Sequence, residues 1–96
     1  IFTAVFAAND QSAYGAILAL YRRGLQVPGD ISVVGFDDLP SSSFTIPPLT
    51  TVHRSINEIA ASTAEAMVEL IEGRTPVTRA TPATLAIRES TGQRHG

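Results

Sequence analysis

No cysteine occurs among the 96 residues, which excludes disulfides and thiolate metal sites. Lysine is missing too: all seven basic residues are arginine, and nine acidic residues leave a formal net charge of -2. A nucleic-acid surface is a clustered basic patch, whereas here only Arg22 and Arg23 adjoin, so no direct DNA binding by this segment is expected. No stretch approaches the roughly 18 apolar residues of a membrane span, and the start lacks the basic region and cleavage site of a signal peptide. No membrane partner is expected. Gly-x-Gly-x-x-Gly and Gly-Lys-Ser phosphate loops are absent, and His53 and His95 lack metal-ligand spacing, so neither a metal nor another cofactor is expected. The chain opens without Met, inside an apolar run, which suggests that further residues precede Ile1.

What is present reads as a folded domain: 44% of the residues are hydrophobic and 17% charged, unlike a disordered tail. Three short apolar runs each end in polar residues able to grip a small molecule. Ile1 to Ala8 ends in Asn9-Asp10, Ile31 to Phe36 in Asp37-Asp38, and Thr50 to Val52 in His53-Arg54. In an open parallel α/β sheet the carboxyl ends of the strands share one edge, and ligands sit in the crevice outside it.

The pattern along the chain is strand, helix, strand, loop, short strand, helix, strand, an α/β order. Phe2 to Ala8 is almost unbroken in its apolarity, which predicts a central strand covered on both faces. Asn9 or Asp10 can cap a helix running to Arg23, with Gly24 as its stop. Ile31 to Phe36, rich in β-branched residues, predicts a second strand parallel to the first. Leu39 to Leu49, with three serines and Pro47-Pro48, reads as a surface loop carrying Phe44, and Thr50 to Val52 as a very short strand. Ser55 and Glu58 fit a capping box that opens a helix to Glu72, closed by Gly73 and Pro76. Ile56, Ile59, Ala60, Thr63, Met67, Leu70 and Ile71 share one face of that helix. Leu85 to Ile87 suggests a last strand, and Ser90 to Gly96 a frayed tail.

Among the polar residues Asp37 stands first, because a carboxylate at a strand end can accept from two neighbouring hydroxyls of a polyol. Asn9 adds a donor and an acceptor, and Arg54 a planar fork of donors suited to a hydroxyl, a carboxylate or a phosphate. Each has a plainer reading: Asn9 and Asp10 as helix caps, His53 as a structural or surface histidine. Asp38 points away from Asp37 on an extended strand and is assigned to a turn or salt bridge. For the same reason the adjacent acids do not face each other across a bond as glycosidase carboxylates do. Ser41-Ser42-Ser43 lacks the strained turn of a hydrolase nucleophile. A Mg²⁺ enzyme using Asp37 and Asp38 is a distant third reading, short of supporting ligands. Tyr14 and Phe44 are candidates for a subunit contact, since aromatics are enriched at interfaces.

Ala8-Asn9-Asp10-Gln11, Val27 to Asp38, Pro47 to Val52 and Arg88-Glu89-Ser90-Thr91, in this order and spacing, resemble the carboxy-terminal part of lactose-repressor/galactose-repressor (LacI/GalR) family transcription regulators. The resemblance implies a partial, parallel-sheet, three-layer periplasmic-binding-protein-like fold, non-enzymatic and cytoplasmic. It implies that residues 1–89 are the C-terminal part of an effector-binding and dimerisation domain and 90–96 a tail. The helix over 55–72 would cross to another lobe. In the family, the Asn matching Asn9 and the Asp matching Asp37 contact a sugar-like effector, and operator DNA is bound by a helix-turn-helix outside this segment. Where the family often has Gln, this chain has Arg54, which favours an anionic effector. The same resemblance places Tyr14 and Phe44 at a homodimer interface. The alternative is a periplasmic ribose-type sugar-binding protein of a transporter, with which the fold and the Asn and Asp positions are shared.

Overall fold

The computed structural model describes residues 2–77 and 81–94. Among the described residues, four strands and two α-helices follow one another as β1 (Ala4–Phe6), α1 (Asp10–Arg22), β2 (Ser32–Phe36), β3 (Thr50–His53), α2 (Ile56–Ile71) and β4 (Thr84–Ala86). A short 3-10 helix, Pro40–Ser43, interrupts the loop between β2 and β3. The strands lie in one sheet in the order β1-β2-β3-β4. β1 pairs with β2 and β2 with β3 in parallel, whereas β4 runs antiparallel to β3, with Val52 opposite Leu85. The α/β class read from the sequence holds, with an antiparallel strand added at one side.

The chain divides into two units, one formed by residues 1–53 and 84–96 and the other by residues 54–83. In the first, Ala7, Ala13, Ile31, Val33 and Leu49 form the buried core, and Val5, Tyr14, Ile17, Leu20 and Val27 pack against it. Both α1 ends follow from local chemistry. Asn9 is the N-cap, its Oδ1 accepting from the Ser12 amide at 2.8 Å. At the other end Gly24 takes a φ of +76°, and the amides of Gly24 and Leu25 donate to the carbonyls of Tyr21 and Leu20, a Schellman ending.

The second unit is built on α2. Ser55 caps it as expected, its Oγ accepting from the Glu58 amide at 3.2 Å. Gly73, at φ +79°, and Arg74 donate to Leu70 and Glu69, so the Schellman ending of α1 recurs. None of the residues of α2 is buried.

Two expectations are corrected. The first apolar run is not a central strand: β1 is at the edge of the sheet, and Phe6 is 68% exposed. Its inner side, through Val5, packs on the core, while nothing among the described residues covers the alternate side. A frayed tail does not begin at Ser90 either. Ser90 is fully buried, its hydroxyl donating to the Val33 carbonyl at 2.6 Å and accepting from the Thr50 amide at 2.8 Å. The Val33 amide in turn donates to the Ser90 carbonyl at 2.9 Å. Ser90 therefore satisfies backbone groups just where the β2–β3 ladder begins, at Val34 and Thr50. Gly92 continues the attachment by donating to Ser32 Oγ at 3.0 Å. Residues 95 and 96 of the expected tail lie outside the described residues.

Candidate functional site

Because β1, β2 and β3 run in parallel, their carboxyl ends fall on one edge of the sheet. Asn9 follows β1 and Asp37 follows β2 on that edge, both within the first unit. Asn9 spends its Oδ1 on the α1 cap, and its Nδ2 amide has no hydrogen-bond partner among the described residues. Cap and ligand donor are compatible roles for one amide, since they use different atoms. Arg54 directly follows β3, is half-buried, and is the first residue of the second unit.

Asp37 and Asp38 both adopt left-handed backbone conformations, with φ of +110° and +55°. Such angles are uncommon for residues other than glycine and are held only where the surroundings over-determine them. The Asp37 amide donates to the Val52 carbonyl at 3.0 Å, which keeps the turn beside β3. The two carboxylates then diverge. Asp38 accepts from Arg88 Nη2 at 2.7 Å and from His53 Nδ1 at 2.9 Å, so it is the salt-bridge residue expected. An acceptor-only carboxylate makes Nδ1 the donor of that histidine. Asp37 is half-buried, and its carboxylate accepts no hydrogen bond among the described residues.

Asp10, read from the sequence only as an alternative cap, is instead a buried hub. It accepts from the Ser42 hydroxyl at 2.5 Å, the Thr51 hydroxyl at 2.5 Å and the Leu39 amide at 2.7 Å. One signal was present in the sequence: Gly35 interrupts a β-branched strand, which marks a close approach of another group. A Cβ at Gly35 would overlap the Asp10 carboxylate and come within 2.8 Å of Leu49.

The serine run is structural. Ser42 is buried against Asp10, and the Tyr14 hydroxyl hydrogen-bonds with both Ser41 Oγ and Ser42 Oγ at 2.7 Å. Phe44 follows the 3-10 helix and is 83% exposed. Beside it an apolar groove of about 350 Å³ is lined by Tyr14, Ile17, Leu18, Tyr21, Thr45 and Ile46. Among the described residues no three His, Cys, Asp or Glu side chains gather as a metal site, and no helix is long and apolar enough to cross a membrane.

Comparison with known proteins gives these features a context. Residues 2–91 match the model of the periplasmic binding protein-like domain. The probable HTH-type transcriptional repressor ExuR of Bacillus subtilis is 46% identical over 69 residues, which cover 72% of this chain and 21% of the repressor. The lac repressor dimer, solved with operator and the anti-inducer ONPF, superposes with a TM-score of 0.85 at 39% identity, covering 93% of this chain and 32% of the repressor chain. A LacI family transcriptional regulator from Lactobacillus casei, solved with bound glucose, gives a TM-score of 0.78 at 34% identity, over 93% of this chain and 32% of that one. The chain thus spans about a fifth of the length of the curated relatives it matches.

Proposed function

The chain belongs to the periplasmic binding protein-like domain family, among the LacI/GalR-type regulators, and from that premise we propose that it is the effector-binding and dimerisation part of a bacterial transcriptional regulator. In this reading residues 1–89 are the C-terminal portion of the effector domain, and α2 leads toward a second lobe. The effector is a sugar or sugar derivative held by Asn9, Asp37 and Arg54. Operator DNA is bound by a helix-turn-helix elsewhere in the protein, and two copies associate through the face that carries Tyr14 and Phe44. The relatives named above are repressors and regulators, which agrees with a non-enzymatic role and favours a regulator over a transporter component.

One observation carries the reading: the half-buried Asp37 carboxylate, set in a strained turn, accepts nothing among the described residues, while its neighbours Asp10 and Asp38 are fully engaged. No buried side-chain polar atom among the described residues lacks a partner, so the Asp37 carboxylate is open to solvent, and at the carboxyl edge of a parallel sheet it is available to accept from the hydroxyls of a ligand. Effector control further requires that the ligand favour one conformation of the protein, because equal affinity for two states shifts neither.

The test is calorimetric titration of the complete protein with D-glucose and with D-glucuronate, which differ by a carboxylate. Wild type is expected to bind at least one of them, and Asp37→Asn, which keeps shape and tolerates the left-handed backbone, to bind about tenfold or more weakly. That is the loss of one charge-assisted hydrogen bond of about 1.5–3 kcal/mol. Equal affinity of the two proteins would remove Asp37 from the site.

A further inference from the structure

Asp37 and Asp38 are left-handed non-glycine residues in succession, and something must hold them there. Besides the Asp37 amide bond to Val52 and the Asp38 bonds to Arg88 and His53, four groups around the turn lead back to a single side chain. Directly after it, the Leu39 amide donates to Asp10 Oδ2 at 2.7 Å. Within it, the Asp38 amide reaches Thr51 Oγ1 at 3.4 Å, and that hydroxyl donates to Asp10 Oδ1 at 2.5 Å. Two residues before it, the Gly35 Cα lies so close to Asp10 that no side chain fits between them. Beyond it, Ser42 in the 3-10 helix donates to Asp10 Oδ2 at 2.5 Å. Asp10 is itself wholly buried and is the first residue of α1, adjacent to Asn9.

We infer that Asp10 is a positioning residue, whose carboxylate fixes the backbone of the Asp37-Asp38 turn relative to Asn9 at the start of α1. The inference extends the proposed effector site, on which its functional consequence rests. A carboxylate suits the task because it accepts only: three donors arriving from a strand, a loop and a 3-10 helix can converge on it without competition. An amide of the same shape would turn one donor toward those donors. Asp10 touches no effector in this arrangement; it sets where Asp37 sits.

The experiment compares Asp10→Asn, Thr51→Val and Ile31→Ala with wild type in the complete protein, each ¹⁵N-labelled. Thr51→Val keeps volume while removing the relay to the Asp38 amide. Ile31→Ala removes core volume just before β2 and lowers stability while leaving the hydrogen-bond donors of Asp10 in place. The inference expects the amide resonances of Asp37, Asp38 and Leu39 to move in Asp10→Asn and, less far, in Thr51→Val, but to stay in place in Ile31→Ala. Affinity for whichever of D-glucose and D-glucuronate wild type binds more tightly should fall tenfold or more in Asp10→Asn, and less than twofold in Ile31→Ala.

Unmoved amides in both polar variants would overturn the inference. So would an affinity loss in Ile31→Ala equal to that in Asp10→Asn, since both would then report stability alone. If Asp10→Asn fails to fold, the amides and affinity of Thr51→Val decide. If wild type binds neither sugar, the effector reading fails on its own, and the amide positions still judge the role of Asp10.

Discussion

Asp37 and Asp38 are neighbours in sequence with opposite engagements: Asp38 is gripped by Arg88 and His53, while Asp37 has a carboxylate that no described residue donates to. Alternation along an extended strand would have separated the two sides. The left-handed backbone of both residues achieves the division differently, by bending the chain just after β2. One acid is thereby committed to structure, and the other keeps a carboxylate that a ligand could reach under the proposed function.

From this division follows a stability prediction for Asp38→Asn. The Arg88 pair is largely buried on both sides, so its loss is expected to cost about 1 kcal/mol or more, and to lower Tm by about 4–8 °C per kcal/mol for a domain of this size. Thermal unfolding followed by circular dichroism measures it. His53, half exposed, contributes little to that figure.

Ser90→Ala separates a tail from an attachment. Removing the hydroxyl leaves the Thr50 amide and the Val33 carbonyl each without that partner, at a cost of about 1–3 kcal/mol. Hydrogen exchange at the Thr50 amide should quicken together with the fall in Tm. A frayed tail would change neither.

The apolar groove beside Phe44 leads to a prediction on assembly. Ile46 lines it and is 92% exposed, so Ile46→Asp should fold like wild type while weakening self-association by about 30-fold or more, as loss of a central anchor does. Tyr14 is the poorer choice, because its hydroxyl also holds the serine loop. Light scattering of the complete protein across a concentration series reads the result, and an unchanged dimer would place the contact elsewhere.

Arg54→Gln tests effector charge. A guanidinium pairs with a carboxylate in a planar fork that a neutral amide cannot match. The variant is therefore expected to lose about tenfold or more in affinity for D-glucuronate and little for D-glucose, in parallel titrations. Equal losses for both sugars would assign Arg54 to something other than charge recognition.

The sequence was most legible where one residue determines one local event. Gly24 and Gly73 end their helices, and Asn9 and Ser55 begin them, because capping depends on a few neighbouring backbone groups. It was least legible where the event is made by residues distant along the chain. Asp10 shares its bonds with Leu39, Ser42 and Thr51, and Ser90 with Val33 and Thr50, separations that no periodicity encodes. The apolar run of β1 shows a third limit: its unbroken apolarity predicts burial on both faces, whereas Phe6 is exposed among the described residues. For the candidate site, the placement of Asn9 and Asp37 on one edge followed from strand order, while the strained turn and the buried carboxylate behind it did not.

The most direct measurement is a double-mutant cycle across Asn9 and Asp37, read by calorimetric titration of the complete protein with the sugar it binds. Asn9→Ser keeps an oxygen to cap α1 while deleting the amide donor, and Asp37→Asn deletes the charge. If both residues hold one small molecule, each change weakens binding and the double variant departs from additivity by about 0.5 kcal/mol or more. Affinity untouched by either change, in protein that remains folded, would contradict the account.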